Sequence, residues 1–455
     1  MSRTRRHGAV LLRPAPVDPL AIFSPMAMLF WQGARARRQA GDGLAGAPPS
    51  VPEAAWVLLV TLVAVNLLVL TRGSTSADAS STVACEDGAM TTWVLHVDLD
   101  QFLAAVEVLR HPELAGRPVI VGGRGDPTER AVVSTASYEA RAHGVRSGMP
   151  LRVAKRKSPD AVFLPVDRPV YEEVSARVME ALRAQPHAVV EVLGWDEAFV
   201  GIDDQVAGDP LAFAETIQRS VLEATDLHCS VGLGDTKVRA KIATDFGKPR
   251  GTFVLTRDNW VEVMGDRPTT AIWGIGPRIA ARLEKHGYRT VLELAAADET
   301  ELVMEFGARM GPHYRNLGRG VSSNVVDDTP WVARAHGRET TYQTDLTTPV
   351  EVTDAVHDLA RQVVADITAE GRACQRVGLK VRYKPFFTVT RLRKLAEPTY
   401  DAATLATTAL ELLAALGEGD RPIRLLGVRA EMVPPVGGYD APRTTGRGGP
   451  AASPL

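Results

Sequence analysis

The chain has 455 residues, 45% of them apolar, with 52 Lys and Arg against 54 Asp and Glu for a formal charge of −2. So much apolar chain can bury a sizeable core and build more than one domain, while the charge balance excludes a uniformly basic nucleic-acid binder and leaves that role to local patches. Cys85, Cys229 and Cys374 lie too far apart for a metal-ligand or disulfide spacing, which fits a reducing compartment.

Residues 1–89 form an atypical extension. Up to about Pro52 it is rich in Arg, Ala, Gly and Pro without periodicity. Residues 54–71 carry no charge and reach membrane-spanning length, about 18 residues, behind Arg35, Arg37 and Arg38. They lie too far from the terminus for a signal peptide. The extension reads as a membrane anchor, a disordered tail with a sticky segment, or a translated upstream region with Met90 as the true start. The third reading is favoured because a complete domain pattern opens at Met90; it makes the expected location cytoplasmic, with membrane anchoring as the lesser alternative.

From Trp93 strand-like and helix-like segments alternate. Residues 93–97 predict a buried strand that runs into Asp98-Leu99-Asp100, and 102–109 a helix begun just after those acids. Residues 117–123 and 131–135 read as short strands, and a helix opens at Tyr138 and ends near Gly144. Residues 189–193 predict a second buried strand, ending on Gly194-Trp195-Asp196-Glu197. Pro210–Thr225 is an amphipathic helix and 229–233 a strand. Such mixed order with short connections argues an α/β or α+β core. Near Thr270 the pattern becomes helical, with helices at 278–286 and from 290. A polar stretch, 322–329, reads as a linker. The last globular piece opens with a strand, then has a helix at Pro349–Glu370 and strands at 376–383 and 388–395. The Gly/Pro/Thr-rich tail after Pro434 reads as disordered.

Four motifs carry chemistry. Asp98 and Asp100 stand two apart and on a strand share a face, whereas Asp196 and Glu197 are neighbours and diverge unless the strand bends. One such acid alone would be read as solvating a strand end. Four of them, each ending an apolar run, read as a cation site: unpaired charge there is costly, and clustered hard oxygens suit Mg²⁺ and phosphoryl transfer. In the second motif, residues 134–141 (Ser-Thr-Ala-Ser-Tyr-Glu-Ala-Arg), Tyr138 and Arg141 share a helical face and, with the helix N-terminus, make a candidate triphosphate clamp. The third, Gly274-Ile275-Gly276, resembles the turn of a helix-hairpin-helix, whose glycines let backbone N–H groups approach a duplex phosphate; a plain turn between helices is the alternative. In the fourth, Lys380, Arg382 and Lys384 alternate with Leu379, Val381 and Tyr383, and Arg391, Arg393 and Lys394 follow with no acid between. On paired strands this predicts one apolar and one cationic face, suited to a phosphate backbone.

Together these residues resemble the Y-family translesion DNA polymerases of the bacterial DNA polymerase IV (DinB) type. The resemblance rests on residues 98–107 (Asp-Leu-Asp-Gln-Phe-Leu-Ala-Ala-Val-Glu), on 134–141, on Trp195-Asp196-Glu197-Ala198 and on 241–249 (Lys-Ile-Ala-Thr-Asp-Phe-Gly-Lys-Pro). It covers about residues 90–433, with the motifs in the family's order and spacing. It implies an α+β multidomain right hand: palm at 90–110 and 170–258, small fingers at 111–169, helix-hairpin-helix thumb at 259–325, linker at 326–334, α/β little finger at 335–434 and a disordered tail at 435–455.

The resemblance also implies roles. Asp98, Asp196 and Glu197 are the catalytic acids and, with the Leu99 carbonyl, hold two Mg²⁺ ions, Mn²⁺ being an alternative. Asp100 matches an acid that is not a direct ligand. Phe102, Leu103, Thr135, Tyr138, Arg141 and Lys248 match positions around the incoming nucleotide. Gly274 and Gly276 fall in the thumb, and Lys380, Arg382, Lys384, Arg391 and Arg393 in the little finger, all as DNA contacts. The implied activity is low-fidelity, template-directed extension of a primer 3′ end across damage, by a monomer acting on primer-template DNA and deoxyribonucleoside triphosphates.

Two departures stand out. Leu103 occupies a position usually held by Phe or Tyr, whose ring clashes with a ribose 2′-hydroxyl, so this resembles a leucine-gate branch with weak exclusion of ribonucleotides. The tail from Gly437 shows no Gln-Leu-x-Leu-Phe type peptide, which makes docking on a sliding clamp doubtful. The rival readings are a polymerase-shaped accessory protein without catalysis, a nucleotidyl cyclase on a related palm, and a membrane protein. The first would be marked by missing acids, the second would not need a DNA-binding thumb and basic sheet, and the third rests only on residues 54–71.

Overall fold

The computed structural model describes residues 92–203, 208–419 and 421–439, all within one compact unit, Glu86–Leu455. The N-terminal extension, its apolar segment and the tail from residue 440 lie outside the described residues, and with them the readings made of those segments. Among the described residues no helix is long and apolar enough to cross a membrane.

A five-stranded sheet carries the acids. Its strands are β1 (Thr92–Leu99), β5 (Val189–Val192), β6 (Glu197–Asp203), β7 (Cys229–Gly234) and β8 (Thr252–Leu255), in the order β5-β6-β1-β7-β8. Between β1 and β5 the chain forms α1 (Phe102–Arg110), a small sheet of β2 (Val119–Val121), β3 (Thr135–Ala136) and β4 (Val162–Leu164), the helices α2 (Tyr138–Ala142) and α3 (Leu151–Lys157), and then α4 (Arg168–Arg183). Helix α5 (Pro210–Thr225) precedes β7, and α6 (Lys237–Gly247) joins β7 to β8.

Strand alternation assigns the two faces of β1. Leu95, Val97 and Leu99 enter a core with α1, α4 and α5, where Tyr171, Val178, Ile217 and Val221 are all essentially buried. Val94, His96 and Asp98 look the other way, toward α6. Helix α6 sits close because β7 presents glycine to it. A Cβ on Gly232 would lie 2.1 Å from the Ala240 carbonyl oxygen and 2.3 Å from the Thr244 nitrogen, and one on Gly234 2.6 Å from the Ala240 nitrogen.

A helical unit follows, built from α7 (Trp260–Met264), α8 (Pro277–Lys285), α9 (Val291–Ala296) and α10 (Glu299–Gly318) around Leu283, Leu294, Leu302 and Trp260. Residues 322–329, read as a linker, have no regular structure but are not loose. The Lys237 N–H donates to the Ser323 carbonyl (3.0 Å), the Val238 N–H to Ser322 Oγ (3.0 Å) and the Asp327 N–H to Glu191 Oε2 (2.8 Å). Val326 rests on Gly201, where a Cβ would meet it at 3.0 Å.

The last sheet runs β11-β10-β12-β9, from β9 (Ala335–Leu346), β10 (Cys374–Tyr383), β11 (Phe387–Thr399) and β12 (Ile423–Met432). Helices α11 (Pro349–Glu370) and α12 (Ala402–Ala414) cover one face, burying Val356, Val363, Leu405 and Leu426. Arg130, just before β3, reaches β9 by donating to the Tyr342 carbonyl (3.0 Å) and pairing with Asp345, while its N–H donates to Gln343 Oε1 (2.7 Å).

Two predicted elements and the placement of one motif need correction. Residues 189–193 are not a buried strand: Val189 and Val192 are exposed on β5, which is the edge of its sheet. Asp196 and Glu197 therefore do not end that strand; Glu197 opens β6, and Asp196 sits in the tight turn before it, across which the Leu193 and Gly194 N–H groups both donate to the Glu197 carbonyl. Of residues 131–135 only Thr135 enters a strand, with Val132 in an isolated bridge to Pro150.

The fit of α6 on β7 makes a clear prediction. Gly232→Ala should destabilise the protein by about 3 kcal/mol, the upper range for forced overpacking, in a denaturant titration. An unchanged midpoint would show that helix and sheet are not held this closely.

Candidate active site

The site is built where β1, β6 and α6 meet. Asp98 pairs with Glu197 across the β1–β6 ladder, and the Leu99 N–H donates to the Asp196 carbonyl (2.9 Å), so both acidic turns are locked together. Lys248, capping the C-terminus of α6, places Nζ 2.8 Å from Asp98 and 3.6 Å from Asp245. Lys241, two turns earlier on α6, pairs with Glu197, and His96 Nε2 lies 3.3 Å from the same carboxylate. His96 Nδ1 is fixed by Thr244 Oγ1 at 2.8 Å.

The three acids have different electrostatics. The hydrogen bond from His96 and then the charge of Lys241, working against burial, pull Glu197 down to about 2. Burial pushes Asp98 up, only partly offset by Lys248. Burial also pushes Asp196 up, and the neighbouring Glu197 charge adds to it. Among the described residues Asp196 belongs to no ion pair. Burial pushes His96 down, favouring neutral imidazole.

No three acidic, His or Cys groups among the described residues stand in a closed metal cluster. Two lysines occupy that role instead, each against one carboxylate, while Asp196 has none. The donor set nevertheless fits a hard divalent ion: oxygen-only, three carboxylates against two lysines, with Glu197 held as the anion and the charged forms of Asp98 and Asp196 disfavoured by burial.

Asp100 has a separate task. Its Oδ1 accepts from Tyr138 Oη (2.6 Å) and Ser230 Oγ (3.0 Å), and its Oδ2 from the Arg250 N–H (2.8 Å). Gln101, in the left-handed region at φ 47°, accepts the Tyr138 N–H on Oε1 at 2.6 Å. Tyr138 is thus held at both ends by the turn that follows the first acids. Burial, then the bond to Asp100, drives its phenol pKa upward, so it stays protonated as a donor. Arg141 donates from Nε to the Ala136 carbonyl (2.9 Å), with its guanidinium 5.1 Å from the Tyr138 ring centroid. Thr135 lies on β3, just before this helix. Phe102 and Leu103, the first residues of α1, are buried; Phe102 packs edge-on to Tyr171 at 6.3 Å.

The other sequence-predicted residues lie apart from the acids. Gly274, at φ 96°, and Gly276, the N-cap of α8, form a turn beside Trp273, which packs on Phe199 at 6.3 Å and lies 5.5 Å from Lys241 Nζ. On the last sheet the expected single cationic face is divided. Lys380 and Arg382 pair with Thr390 and Thr388, so these share the open face with Lys394, whereas Arg391 and Arg393 pair with Leu379 and Val377 on the helix side. Arg393 accordingly pairs with Glu411 of α12, and Lys380 is paired with Glu339 at 2.6 Å. Lys384 is exposed beyond the end of β10. The alternation reverses because three residues separate β10 from β11, so a count of basic residues along the chain does not map onto one face.

His96, Gln101, Lys241 and Trp273 were not singled out from sequence. His96 had a legible signal, a polar residue two before Asp98 and hence on its face.

The model of the impB/mucB/samB family matches residues 97–245, and that of the family's C-terminal domain matches 333–439. DNA polymerase IV 2 of Mycobacterium tuberculosis is 47% identical over 341 residues, covering 75% of this chain and 98% of its own. The chain belongs to the Y-family DNA polymerases, DNA polymerase IV (DinB) type. DNA polymerase IV of Methanoculleus marisnigri is 40% identical over 347 residues, 75% of this chain and 94% of its own. Among solved structures, a Y-family DNA polymerase chimera aligns with a TM-score of 0.66 at 26% identity, over 74% of this chain and 98% of that one. DinB from Sulfolobus solfataricus aligns at 0.50 and 26%, over 75% and 99%.

In this polymerase Asp196 is a stability cost. Its folded pKa is raised, so the cost is absent below the ordinary aspartate value of 3.8, grows between that value and the raised folded one, and is constant above it. Metal-free Asp196→Asn should therefore be more stable at pH 7 by about 1 kcal/mol, the usual yield of relieving such a site. The gain should shrink as pH is lowered. Melting curves across pH check this; a destabilised variant at pH 7 would show that Asp196 is well compensated.

Proposed function

We propose that this Y-family enzyme extends primer 3′ ends opposite damaged template through the acids on the α6 face of its palm, with weak selection against ribose. The family supports the reaction class, a translesion DNA-directed DNA polymerase, and argues against a silent accessory protein; all three acids are present in this chain. The observation that supports the site assignment is Asp196: a partly buried carboxylate that belongs to no ion pair among the described residues, next to two acids that each pair with a lysine.

Asp98, Asp196 and Glu197, with the Leu99 carbonyl, are proposed to hold two divalent ions, Mg²⁺ by the hardness of the donors and Mn²⁺ as an alternative. When bound, the ions would activate the primer 3′-hydroxyl and neutralise the triphosphate and leaving pyrophosphate. The chain's own residues supply the rest. His96 and Lys241 hold Glu197 ionised, so it needs no proton loss before it can serve. Lys248 is on hand to follow negative charge from Asp98 to a phosphate. Tyr138, Arg141 and Thr135 are proposed to face the triphosphate, with the Arg141 guanidinium for phosphate oxygens and Tyr138 held in place by Asp100. The turn at Gly274–Gly276 and the open face of the last sheet are proposed to track duplex phosphates, by a single copy of the chain. Deoxyribonucleoside triphosphates and primer-template DNA are the substrates.

The test is Mg²⁺-dependent primer extension. Asp196→Ala should lose on the order of 10²–10³-fold or more, the scale for removing a principal electrostatic group; retained activity would remove the acid from the mechanism.

Leu103 opens α1 behind Phe102, and its side chain is shorter than the ring usually found there. An apolar pocket without a steric block rejects an added hydroxyl only on the order of a hundredfold. Ribonucleotide incorporation should therefore be measurable, and Leu103→Phe should raise discrimination by at least about tenfold over that baseline. Strong rejection of ribonucleotides that is the same in both proteins would contradict this.

A further inference from the structure

The last sheet ends on β9, and no described strand pairs with its outer edge. The Met432 N–H donates to the Arg334 carbonyl (3.0 Å), and β9 keeps one register with β12 from Ala335 to Thr341. Bonding alternates along an antiparallel ladder, so even residues bond to β12, and the N–H and C=O groups of Gly337, Glu339 and Thr341 point off the sheet. Past Thr341 the strand meets Arg130, which donates to the Tyr342 carbonyl. An open edge of this kind is a template for another extended chain.

Helix α11 gives the edge a preference. On the helix side of β9, His336 lies 3.4 Å from Glu370, and Arg338 makes two bonds to Asp366 (2.6 and 2.7 Å). Each pair sets a basic residue of the strand against an acid of the helix. The next strand positions on that side, Thr340 and Tyr342, are neutral, yet α11 continues to present acids, Asp358 and Asp354. There the two elements part around a cavity of about 350 Å³, with Leu346 and Leu359 on its apolar wall and the two exposed aspartates at its rim. Asp358 has Arg361 of its own helix as a partner, and among the described residues no ion pair includes Asp354.

We propose that this groove docks an extended segment of another protein, added to β9 as a further strand, with an Arg or Lys side chain between Tyr342 and the two aspartates. Strand addition draws affinity from main-chain bonds and specificity from pockets for alternate side chains. The interrupted row of pairs selects the side chain, because a cation in the cavity continues what His336 and Arg338 begin. The apolar wall suits the methylene stem of either residue. Acids at the rim repel phosphates, which sets this groove apart from the sheet face that carries Lys380 and Arg382.

The experiment is selection on the full chain from a displayed library of random dodecapeptides, followed by fluorescence anisotropy with the selected peptides. These should share an Arg or Lys at one position and bind wild type at least about tenfold more tightly than Asp354→Asn/Asp358→Asn, the scale of a charged hydrogen bond. Changing that peptide residue to Gln should cost as much, and the two losses should not add. Thr341→Pro, which removes an outward N–H and keeps the bonds to β12, should abolish binding. Melting curves and primer extension at the wild-type level are the controls, and the aspartate variant decides alone if the proline disturbs the fold. No selected peptide, peptides without a shared basic residue, or equal affinity for wild type and the aspartate variant would overturn the proposal. So would a wild-type dimer that Thr341→Pro dissolves, which gives the edge to a second copy, or peptide binding only after removal of residues 440–455, which gives it to the chain's own tail.

Discussion

The structure depends on the close seat of α6 against β7, made possible by glycine at 232 and 234. It brings Thr244, Lys241 and Lys248 to the same face of the sheet as His96, Asp98 and Glu197. A side chain at either glycine would push the helix away and take the lysines out of reach. The alternation of β1 does the complementary work. Odd residues anchor the strand in the core, leaving the even ones, His96 and Asp98, for chemistry.

From that seat the electrostatics follow. Among the described residues two carboxylates have lysine partners and Asp196 has none, so Glu197 is stabilised as the anion while the charge of Asp196 is held at some expense to stability. Active sites commonly carry such a cost because the groups are arranged for a charge that comes with the substrate or ion. Asp100 shows the other use of an acid. It binds Tyr138, Ser230 and the Arg250 backbone, tying α2 to the five-stranded sheet.

Much of this was legible in the chain. Pro210–Thr225 and Pro349–Glu370 have the bounds expected from sequence, each with Pro at the first helical turn and a capping Asp209 or Thr348. The first acidic motif and the clamp helix also lie where their residue types placed them. What was not legible depended on partners distant in sequence. The Lys241–His96 contact spans 145 residues and no local pattern announces it. Val189 and Val192 look like core residues until the sheet order puts β5 at an edge. Arg391 and Arg393 seemed to join Lys380 and Arg382, but the register of a hairpin is set by its turn, and this turn sends them to the helix side.

The central claim is that the acids facing α6 form a divalent-ion site completed by DNA and nucleotide. The most direct measurement is an electron paramagnetic resonance titration with Mn²⁺, in the presence of primer-template and a non-hydrolysable deoxynucleoside triphosphate. The account predicts saturable binding of two ions per chain, reduced in Asp98→Asn without loss of the folded state. Equal binding in the variant, or none beyond that of the nucleotide alone, would contradict it.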